Sequence, residues 1–345
     1  MTRRRSLHRW LVLCLGLCGL LGPMPLPAAP AGTPAAAPYR ITMLLFRGCE
    51  EACRGFQSYL RQQGVAFELT LRDAAQDRGK VAGFVQEIRS TRPDLVITWG
   101  TTVTLETVGR LGEVDPARHL TDIPVVFMIV SNPVADGVVA DLARPRRNVT
   151  GTLYLLPLRT QLDAARSYMP FRQVGFLLNP NESNSVSTLT ELAELAPQLG
   201  LQLHVRTLGN LAGEDRGMRA FMDEFKAAGV ELLYFGPDTF LNSRRELLTD
   251  TALQLGLPVF AAAEAPVRQA RALFGVVNRY EDVGRFTAAQ ALRVLRDGDR
   301  PQDVPVELPR NFSYLVNLPA ALQLRRYPPL RLLDVAEIVG LDPAR

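Results

Sequence analysis

The chain has 345 residues, with 39 basic and 35 acidic side chains and a formal net charge of +4. This length exceeds what one hydrophobic core usually organises, so we expect two domains. Four arginines near the N-terminus account for the charge excess, and the rest of the chain is neutral. The composition therefore gives no reason to expect a nucleic acid or an anionic membrane surface as a partner.

The N-terminus has the pattern of a secretory signal peptide. A basic segment, MTRRRSLHRW, precedes an apolar one, LVLCLGLCGLLG, and small residues follow around Ala29-Pro30-Ala31. We predict cleavage after Ala31, so that residues 1–31 are the signal peptide and the mature protein is soluble and periplasmic. An uncleaved anchor is the weaker alternative, because the apolar core from Leu11 to Gly22 is short against the ~20 residues of a spanning helix.

Two cysteines remain in the predicted mature chain. Cys49 and Cys53 stand four residues apart at a predicted helix start, in RGCEEACRGF. In an oxidising compartment they either form a disulfide or remain two half-buried thiols. The remaining histidines, His119 and His204, are not in ligand spacing with them, so we predict no metal and no cofactor.

Short apolar runs alternate with helical patterns, which is typical of βαβ units and a mostly parallel sheet. The series occurs twice, with start-to-start offsets of 133, 135, 137 and 134 residues. The pairs are ITMLLF (41–46) with VGFLLN (174–179), AFELTL (66–71) with LQLHVR (201–206), DLVITWG (94–100) with ELLYFG (231–236), and IPVVF (123–127) with LPVFA (257–261). The repeat predicts an α/β protein of two doubly wound parallel-sheet lobes of like topology, joined by a hinge.

Segments outside the repeats connect the lobes. ARPRRNVTGTLYLL (143–156) and RALFGVVNRY (271–280) have the pattern of crossing segments, and an amphipathic helix follows the second of them. We assign residues 39–147 and 279–308 to the first lobe, 148–278 and 309–325 to the second, and 326–345 to a C-terminal extension. In that extension, PPLRLLDVAEIVG is predicted to form a packing helix that starts at its prolines.

Polar residues follow the predicted strands, where open α/β sheets bind ligands. In the first lobe the strand ends are followed by Phe46, Arg47, Gly100, Thr101, Thr102, Ser131 and Asn132. In the second lobe they are followed by Asn179, Ser183, Asn184, Ser185, Asp238 and Glu264. Two such rims facing each other predict a ligand-binding cleft.

Each rim residue has a binding interpretation and a structural one. Gly100, Thr101 and Thr102 either bind a ligand carboxylate at a helix N-terminus or simply cap that helix through a threonine. Asp238 and Glu264 either accept a ligand ammonium or cap the helices after them. Phe46 and Trp99 either form an apolar wall for the ligand or pack within the rim. Arg47 either binds an anion or is an ordinary surface arginine.

Catalytic motifs are missing from the sequence. It contains no G-x-S-x-G and no G-x-x-x-x-G-K-[ST], and FRGCEEACRG stands where a G-x-G-x-x-G would follow the first strand. The adjacent Glu50 and Glu51 are interpreted as a favourable charge at a helix N-terminus. We therefore predict that the protein is not an enzyme.

Several segments resemble the substrate-binding proteins of ABC importers with the periplasmic-binding-protein-like I fold, in the group that includes tryptophan-binding members. They are DLVITWGTT, IPVVFMIVSNPVADGVVADLARPRRNVTG, VGFLLNPNESNS, LPVFAAAEAPVRQARALFGV and the region from Asp282 to Leu324. The resemblance implies a bilobal binder with three interlobe strands. It also implies ligand contacts at Thr101, Thr102, Ser131, Ser183 to Ser185 and Asp238.

Two positions differ from the family pattern. Asn132 stands where members often have aspartate, and the segment from Asn278 to Tyr280 differs from an acidic or tyrosine-rich one. Loss of an acid at either place removes a partner for an α-amino group. We keep Asn278 and Tyr280 among the candidate ligand-binding residues.

The leading hypothesis is a monomeric periplasmic solute-binding protein of an ABC importer. It would capture a small polar ligand, an amino acid or similar, by closure of its lobes and present the closed form to a membrane permease. The alternative is a ligand-sensing module that signals to a sensor protein.

Overall fold

The computed structural model describes residues 37–209 and 214–340; the predicted signal peptide lies outside these ranges. The first sheet has the order β2-β1-β3-β4-β5, formed by β1 (Tyr39–Leu45), β2 (Phe67–Asp73), β3 (Leu95–Trp99), β4 (Val125–Val130) and β5 (Val149–Leu153). The second has the order β12-β11-β10-β9-β8-β6-β7, formed by β6 (Gln173–Leu178), β7 (Gln202–Thr207), β8 (Leu232–Phe235), β9 (Val259–Ala261), β10 (Phe274–Asn278), β11 (Phe312–Asn317) and β12 (Ala336–Val339).

The predicted repeat is present in the strand order. The strand order β2-β1-β3-β4 in the first sheet corresponds to the strand order β7-β6-β8-β9 in the second. The neighbouring strands in both sheets pair in parallel, apart from the antiparallel pair of β10 with β11. The predicted α/β class with two doubly wound sheets of like topology is confirmed.

Helices connect the strands and cover the sheets. They are α1 (Glu51–Gln62), α2 (Val81–Thr91), α3 (Thr101–Val108), α4 (Leu158–Tyr168), α5 (Ser183–Gln198), α6 (Glu214–Ala227), α7 (Thr239–Ser243), α8 (Arg245–Gln254), α9 (Ala265–Arg268), α10 (Tyr280–Leu295), α11 (Leu318–Leu324) and α12 (Leu330–Leu333). Short 3₁₀ helices span Arg78–Lys80 and Pro301–Asp303. Within the described ranges, no helix is long and apolar enough to cross a membrane.

Each sheet is buried on both faces, which explains why its strands are near-continuous apolar runs. In β1, Met43 and Leu45 belong to one core cluster and Leu44 to the cluster on the opposite face. In β6, Phe176 and Leu177 divide in the same way between two further clusters. We call each sheet with its covering helices a lobe; α10 belongs to the first lobe, because it packs on α1 and that lobe's core.

The described chain passes between the lobes three times, after β5, after β10 and before β11. The first passage begins later than the sequence indicated. Strand β5 pairs with β4 in the first sheet, whereas the predicted boundary assigned residues from 148 onwards to the second lobe. The valine and threonines of β5 complete the edge of the first sheet before the chain leaves it.

The C-terminal segment differs from the predicted packing helix. It forms the short helix α12 and then β12, which pairs in parallel with β11 at the edge of the second sheet. The open edge of β11 supplies backbone partners, and the β-branched Ile338 and Val339 suit a strand. Glu337 of β12 forms ion pairs with Arg268 and with Arg279 beside the hinge.

Cys49 and Cys53 are joined by a disulfide at the start of α1, with a Cα–Cα distance of 5.2 Å. The amide of Gln57 lies 3.5 and 3.4 Å from the two sulfur atoms. Of the two alternatives left open by the sequence, the structure therefore contains the bonded one. No group of three or more potential metal-ligating side chains occurs in the part of the chain that the structure describes.

Candidate functional site

The carboxyl ends of strands from both lobes meet at one small cavity. About 30 Å³ of free space remains inside it, far less than the ~300–1,000 Å³ of ordinary small-molecule pockets. Eight of the sequence-predicted site residues line it: Arg47, Trp99, Gly100, Thr101, Ser131, Asn184, Asp238 and Tyr280. The two predicted rims therefore face each other across this cavity.

The first lobe contributes the junction between β3 and α3. Gly100 has a φ of +89°, a backbone conformation that side chains with a Cβ rarely adopt, and it turns the chain directly into the helix. Among the described residues no side chain caps α3, and Gly100 and Thr101, where the helix begins, line the cavity. This arrangement is suited to an anionic group.

A distortion of β4 places Ser131 beside the same edge. Ile129 has a φ of +59°, which is unusual for a β-branched residue, and the pairing of β4 with β5 shifts register there. The Ser131 hydroxyl then lies 3.1 Å from the Tyr154 hydroxyl, and its backbone N–H donates to Thr101 Oγ1 at 3.4 Å. Burial raises the pKa of Tyr154 far above its usual value, so this phenol stays neutral.

Arg47 extends from the end of β1 across the cleft. Its guanidinium lies over the Trp99 ring at 5.2 Å and pairs with Glu50 at 2.9 Å. In the amide orientation that satisfies both partners, the Asn242 oxygen of α7 accepts from both terminal nitrogens, at 2.6 and 2.8 Å. Burial raises the pKa of Glu50, and Arg47 opposes that shift. Arg47 thus links the aromatic wall of the first lobe to the second lobe.

The second lobe contributes a buried pair of carboxylates. Glu182 accepts from the backbone N–H groups of Thr239 at 2.7 Å and Phe240 at 2.8 Å, and Asp238 Oδ1 accepts from Leu241 N at 2.7 Å. Both carboxylates therefore serve the N-terminus of α7. Burial, and then repulsion by Glu182, raise the pKa of Asp238 to about 8, against the opposing effects of the Leu241 amide and the Ser185 and Asn179 side chains.

Besides Arg47 Nε, which lies 2.9 Å from a Glu50 oxygen, three buried polar atoms of residues that line the cavity form no hydrogen bond with any described residue. They are the acceptors Asp238 Oδ2 and Asn184 Oδ1 and the donor Trp99 Nε1. The other polar atoms of these groups are satisfied: Asp238 Oδ1 caps α7, and Asn184 Nδ2 donates to Pro237 O at 2.6 Å. Two acceptors in the second lobe thus lie across the cavity from a donor in the first.

Other predicted residues lie at the strand–helix junctions behind the cavity. The backbone N–H of Asn179 donates to Ser185 Oγ at 3.3 Å, and its side chain holds the turn through Asn181 and Glu182. Phe46 packs against the first-lobe core, and Thr102 is half-buried in α3. Asn132 and Ser183 line a separate groove at the mouth of the cleft. Of the three polar residues that begin α5, only Asn184 lines the cavity.

Glu264 and Asn278 connect the lobes. Glu264 Oε1 accepts from the backbone N–H of Tyr280 at 2.6 Å, and its second oxygen accepts from Arg268. Asn278 Nδ2 donates to the carbonyl oxygen of Tyr154 at 3.0 Å, which joins two of the crossing segments. Burial raises the pKa of Glu264, while the Tyr280 amide lowers it. Both residues occupy hinge positions.

Nine lining residues were absent from the predicted set: Ile129, Tyr154, Phe235, Gly236, Pro237, Thr239, Asn242, Ala263 and Pro266. Several adjoin strand ends that the sequence did identify. Asn242 stands four residues after Asp238, a spacing that places two side chains on one helix face. This spacing could have identified Asn242 from the sequence. Tyr154 lies in a crossing segment, and its position depends on how the two lobes are placed.

Three similar proteins have the same fold or related sequences. A tyrosine-binding protein of Clostridioides difficile (strain R20291) is 22% identical over 275 residues, covering 78% of this chain and 74% of that protein. A Streptococcus pneumoniae ABC domain, solved in complex with L-Trp, has a TM-score of 0.73 at 22% identity, covering 87% of this chain and 99% of the other. A conserved domain protein from Vibrio cholerae has a TM-score of 0.76 at 22% identity, covering 88% and 100%.

The chain also matches a known family over most of its length. Residues 43–338 match the family described as ABC transporter substrate binding protein. That span includes the described strands β2 to β11, both cavity walls and the three passages between the lobes. The chain belongs to the family of ABC transporter substrate-binding proteins.

Proposed function

We propose that this chain is the exported binding component of an ABC importer and that it captures a free amino acid with an aromatic side chain. The observation that carries the proposal is the set of three buried atoms without partners in the described structure: Asp238 Oδ2, Asn184 Oδ1 and Trp99 Nε1. A zwitterionic amino acid offers the complementary groups, an ammonium for the two acceptors and a carboxylate for the donor.

The remaining lining residues fit the same ligand. The ligand carboxylate would lie near Trp99 Nε1 and the uncapped N-terminus of α3, where the helix dipole favours a negative charge. Tyr154, Phe235 and Tyr280 offer apolar surface to an aromatic side chain. The tyrosine-binding and L-Trp-bound relatives support this ligand class.

Capture would proceed by closure of the two lobes. The cavity is lined from both lobes, and its free space of about 30 Å³ is too small for an amino acid, so a ligand of this class enters only if the lobes separate and Arg47 moves aside. The ligand then stabilises the closed form by contacting both walls. The closed form would be presented to a membrane permease in the periplasm, consistent with the secretory pattern of residues 1–31.

The ligand class is tested by thermal shift and calorimetry with a panel of free L-amino acids, together with mass spectrometry of small molecules released on mild denaturation. We expect L-tryptophan or L-tyrosine to raise the melting temperature and to be recovered chemically unaltered. A panel in which no amino acid binds, with no co-purifying amino acid, would contradict the proposal.

The contact itself is tested by Asp238→Asn. Asparagine keeps an oxygen to accept from Leu241 N but removes the charge, so we expect amino-acid affinity to fall about 10- to 100-fold with little loss of fold stability. Asp77→Asn is the matched control, because Asp77 caps a 3₁₀ helix through Gly79 N away from the cavity. Equal affinities in both variants would exclude Asp238 as the ammonium partner.

A further inference from the structure

The mouth of the cleft contains a second groove, of about 590 Å³, whose walls come from both lobes. The first lobe contributes Arg110 and the loop that follows β4, and the second contributes the first turns of α5. The hydrogen bonds across this groove connect side chains of the first lobe directly to side chains of the second lobe, without a ligand between them. They therefore act on the separation of the lobes whether or not a ligand is bound.

The first-lobe side of the groove is built independently of the second lobe. Asp136 N donates to the Asn132 carbonyl oxygen at 2.8 Å, and Ala135 N donates to Asn132 Oδ1 at 3.1 Å. Gly137 continues the turn at a φ of +70°, with the Arg110 side chain packed against it. The Asp136 carboxylate is thus held in position by its own loop.

The second-lobe side presents two hydroxyls on one face of α5. Ser183 and Ser187 are one helical turn apart, and both donate to Asp136 Oδ1, at 2.7 and 3.1 Å. Ser183 Oγ also accepts from the Arg110 guanidinium at 3.1 Å. Arginine, serine and aspartate therefore form a continuous chain of hydrogen bonds between the lobes.

The carboxylate is fully buried in this arrangement, and no described residue hydrogen bonds to its second oxygen. Separation of the lobes would let water solvate both oxygens, so closure costs desolvation of a charge that the serines must offset. Loss of the hydroxyls would leave the buried carboxylate without its compensation, which penalises the closed form specifically.

We propose that Asp136, Ser183 and Ser187 form an interlobe latch that sets the fraction of molecules with closed lobes before any ligand binds. Asp136 is a positioning residue, and it does not line the ligand cavity. The inference rests on the proposed closure. Because the latch would stabilise the closed form both with and without ligand, it would raise ligand affinity from outside the ligand cavity wherever the open form predominates without ligand.

The test compares Ser183→Ala/Ser187→Ala with Thr190→Ala. Thr190 is the matched control, because it lines the same groove on α5 but its hydroxyl bonds only to Val186 O of its own helix. Spin labels at the exposed positions Glu113→Cys and Gln198→Cys report the distance between the lobes by pulsed electron paramagnetic resonance. In ligand-free protein we expect the ratio of short to long distances to fall about tenfold in the double variant and to stay unchanged in the control.

The proposal is overturned by a ligand-free wild-type protein with no short-distance component, or by a double variant with the wild-type distribution. A lower melting temperature of the double variant without any change in the distance ratio would also overturn it, because that result assigns the serines to the fold. Failure of L-tryptophan and L-tyrosine to bind would contradict the proposed ligand and leave the ligand-free distances as an independent measurement.

Discussion

The two oxygens of Asp238 differ in their surroundings, which gives Asp238 a structural role and, in the proposed function, a binding role. Oδ1 accepts from Leu241 N and begins α7, while Oδ2 is buried at the cavity without a hydrogen-bond partner in the described chain. Burial and the nearby Glu182 raise its pKa from 3.8 to about 8. Near neutral pH the ligand-free protein therefore holds a proton that a bound ammonium would displace.

We expect amino-acid affinity to increase as the pH rises towards about 8, because Asp238 must lose its proton to pair with the ligand ammonium. Calorimetry in buffers of different ionisation enthalpy should show proton release on binding near neutral pH. The Asp238→Asn variant should lose both effects. Proton uptake on binding by the wild type would contradict this assignment.

The same shift affects stability with the opposite sign. The folded chain keeps the Asp238 proton at pH values where the unfolded chain has released it, so this group lowers the free energy of unfolding as the pH rises from about 3.8 to about 8. A bound ligand replaces the proton with an ammonium, so the free energy of unfolding of the complex no longer falls with pH through this group. The ligand should therefore raise the free energy of unfolding more at the upper end of this pH range.

Helix α10 is fixed to the first lobe because it packs closely across α1. A Cβ at Gly284 would overlap the carbonyl oxygen of Ala52, and one at Gly55 would overlap that of Glu281. The two glycines thus let the helix backbones approach directly. Since α10 follows the second passage between the lobes, this crossing anchors the hinge to the first lobe.

We expect Gly284→Ala to lower the free energy of unfolding by about 1–3 kcal/mol, because the added methyl meets backbone that cannot move aside. Gly83→Ala is the control: Gly83 lies in α2 with open space around it, and alanine there should stabilise the protein by up to about 1 kcal/mol. Urea denaturation of both variants makes the comparison. Equal changes would indicate that the crossing is loosely packed.

The whole molecule is organised around the three passages between the lobes. Two of these passages are joined by a hydrogen bond from the buried Asn278 amide to the Tyr154 carbonyl oxygen. Tyr154 also packs edge-on against Tyr280, with ring centroids 5.8 Å apart. Glu264 holds the start of α10 from the second lobe. The hinge is therefore a hydrogen-bonded and aromatic unit adjoining the ligand cavity.

Asn278→Ala should lower the free energy of unfolding by about 1–3 kcal/mol, because it leaves the Tyr154 carbonyl oxygen buried without its donor. It should also increase amide hydrogen exchange in the crossing segments, where a passage would move more freely. Asn181→Ala, at an exposed turn position, should change stability by less than about 0.5 kcal/mol. Unchanged exchange at the crossings would show that the hinge does not depend on this bond.

The sequence alone determined the architecture and which strand ends border the candidate cavity. Strand patterns and short connections are local properties, and their repetition specified two sheets of like topology. Because parallel strands end at a common edge, residues that end a strand or closely follow one, such as Trp99, Gly100, Thr101 and Asp238, lie at that edge of their sheet. No knowledge of contacts between the lobes was needed for these assignments.

Only the tertiary structure decided how the side chains divide among their roles. Ser183, Asn184 and Ser185 look alike in sequence, but successive residues of a helix point about 100° apart, and the rotation of α5 is set by packing on β6 and β7. Ser183 therefore bonds to Asp136, Asn184 lines the cavity, and Ser185 holds the Asn179 turn. The positions of Tyr154, Asp136 and β12 likewise depend on partners distant in the chain, which local patterns do not encode.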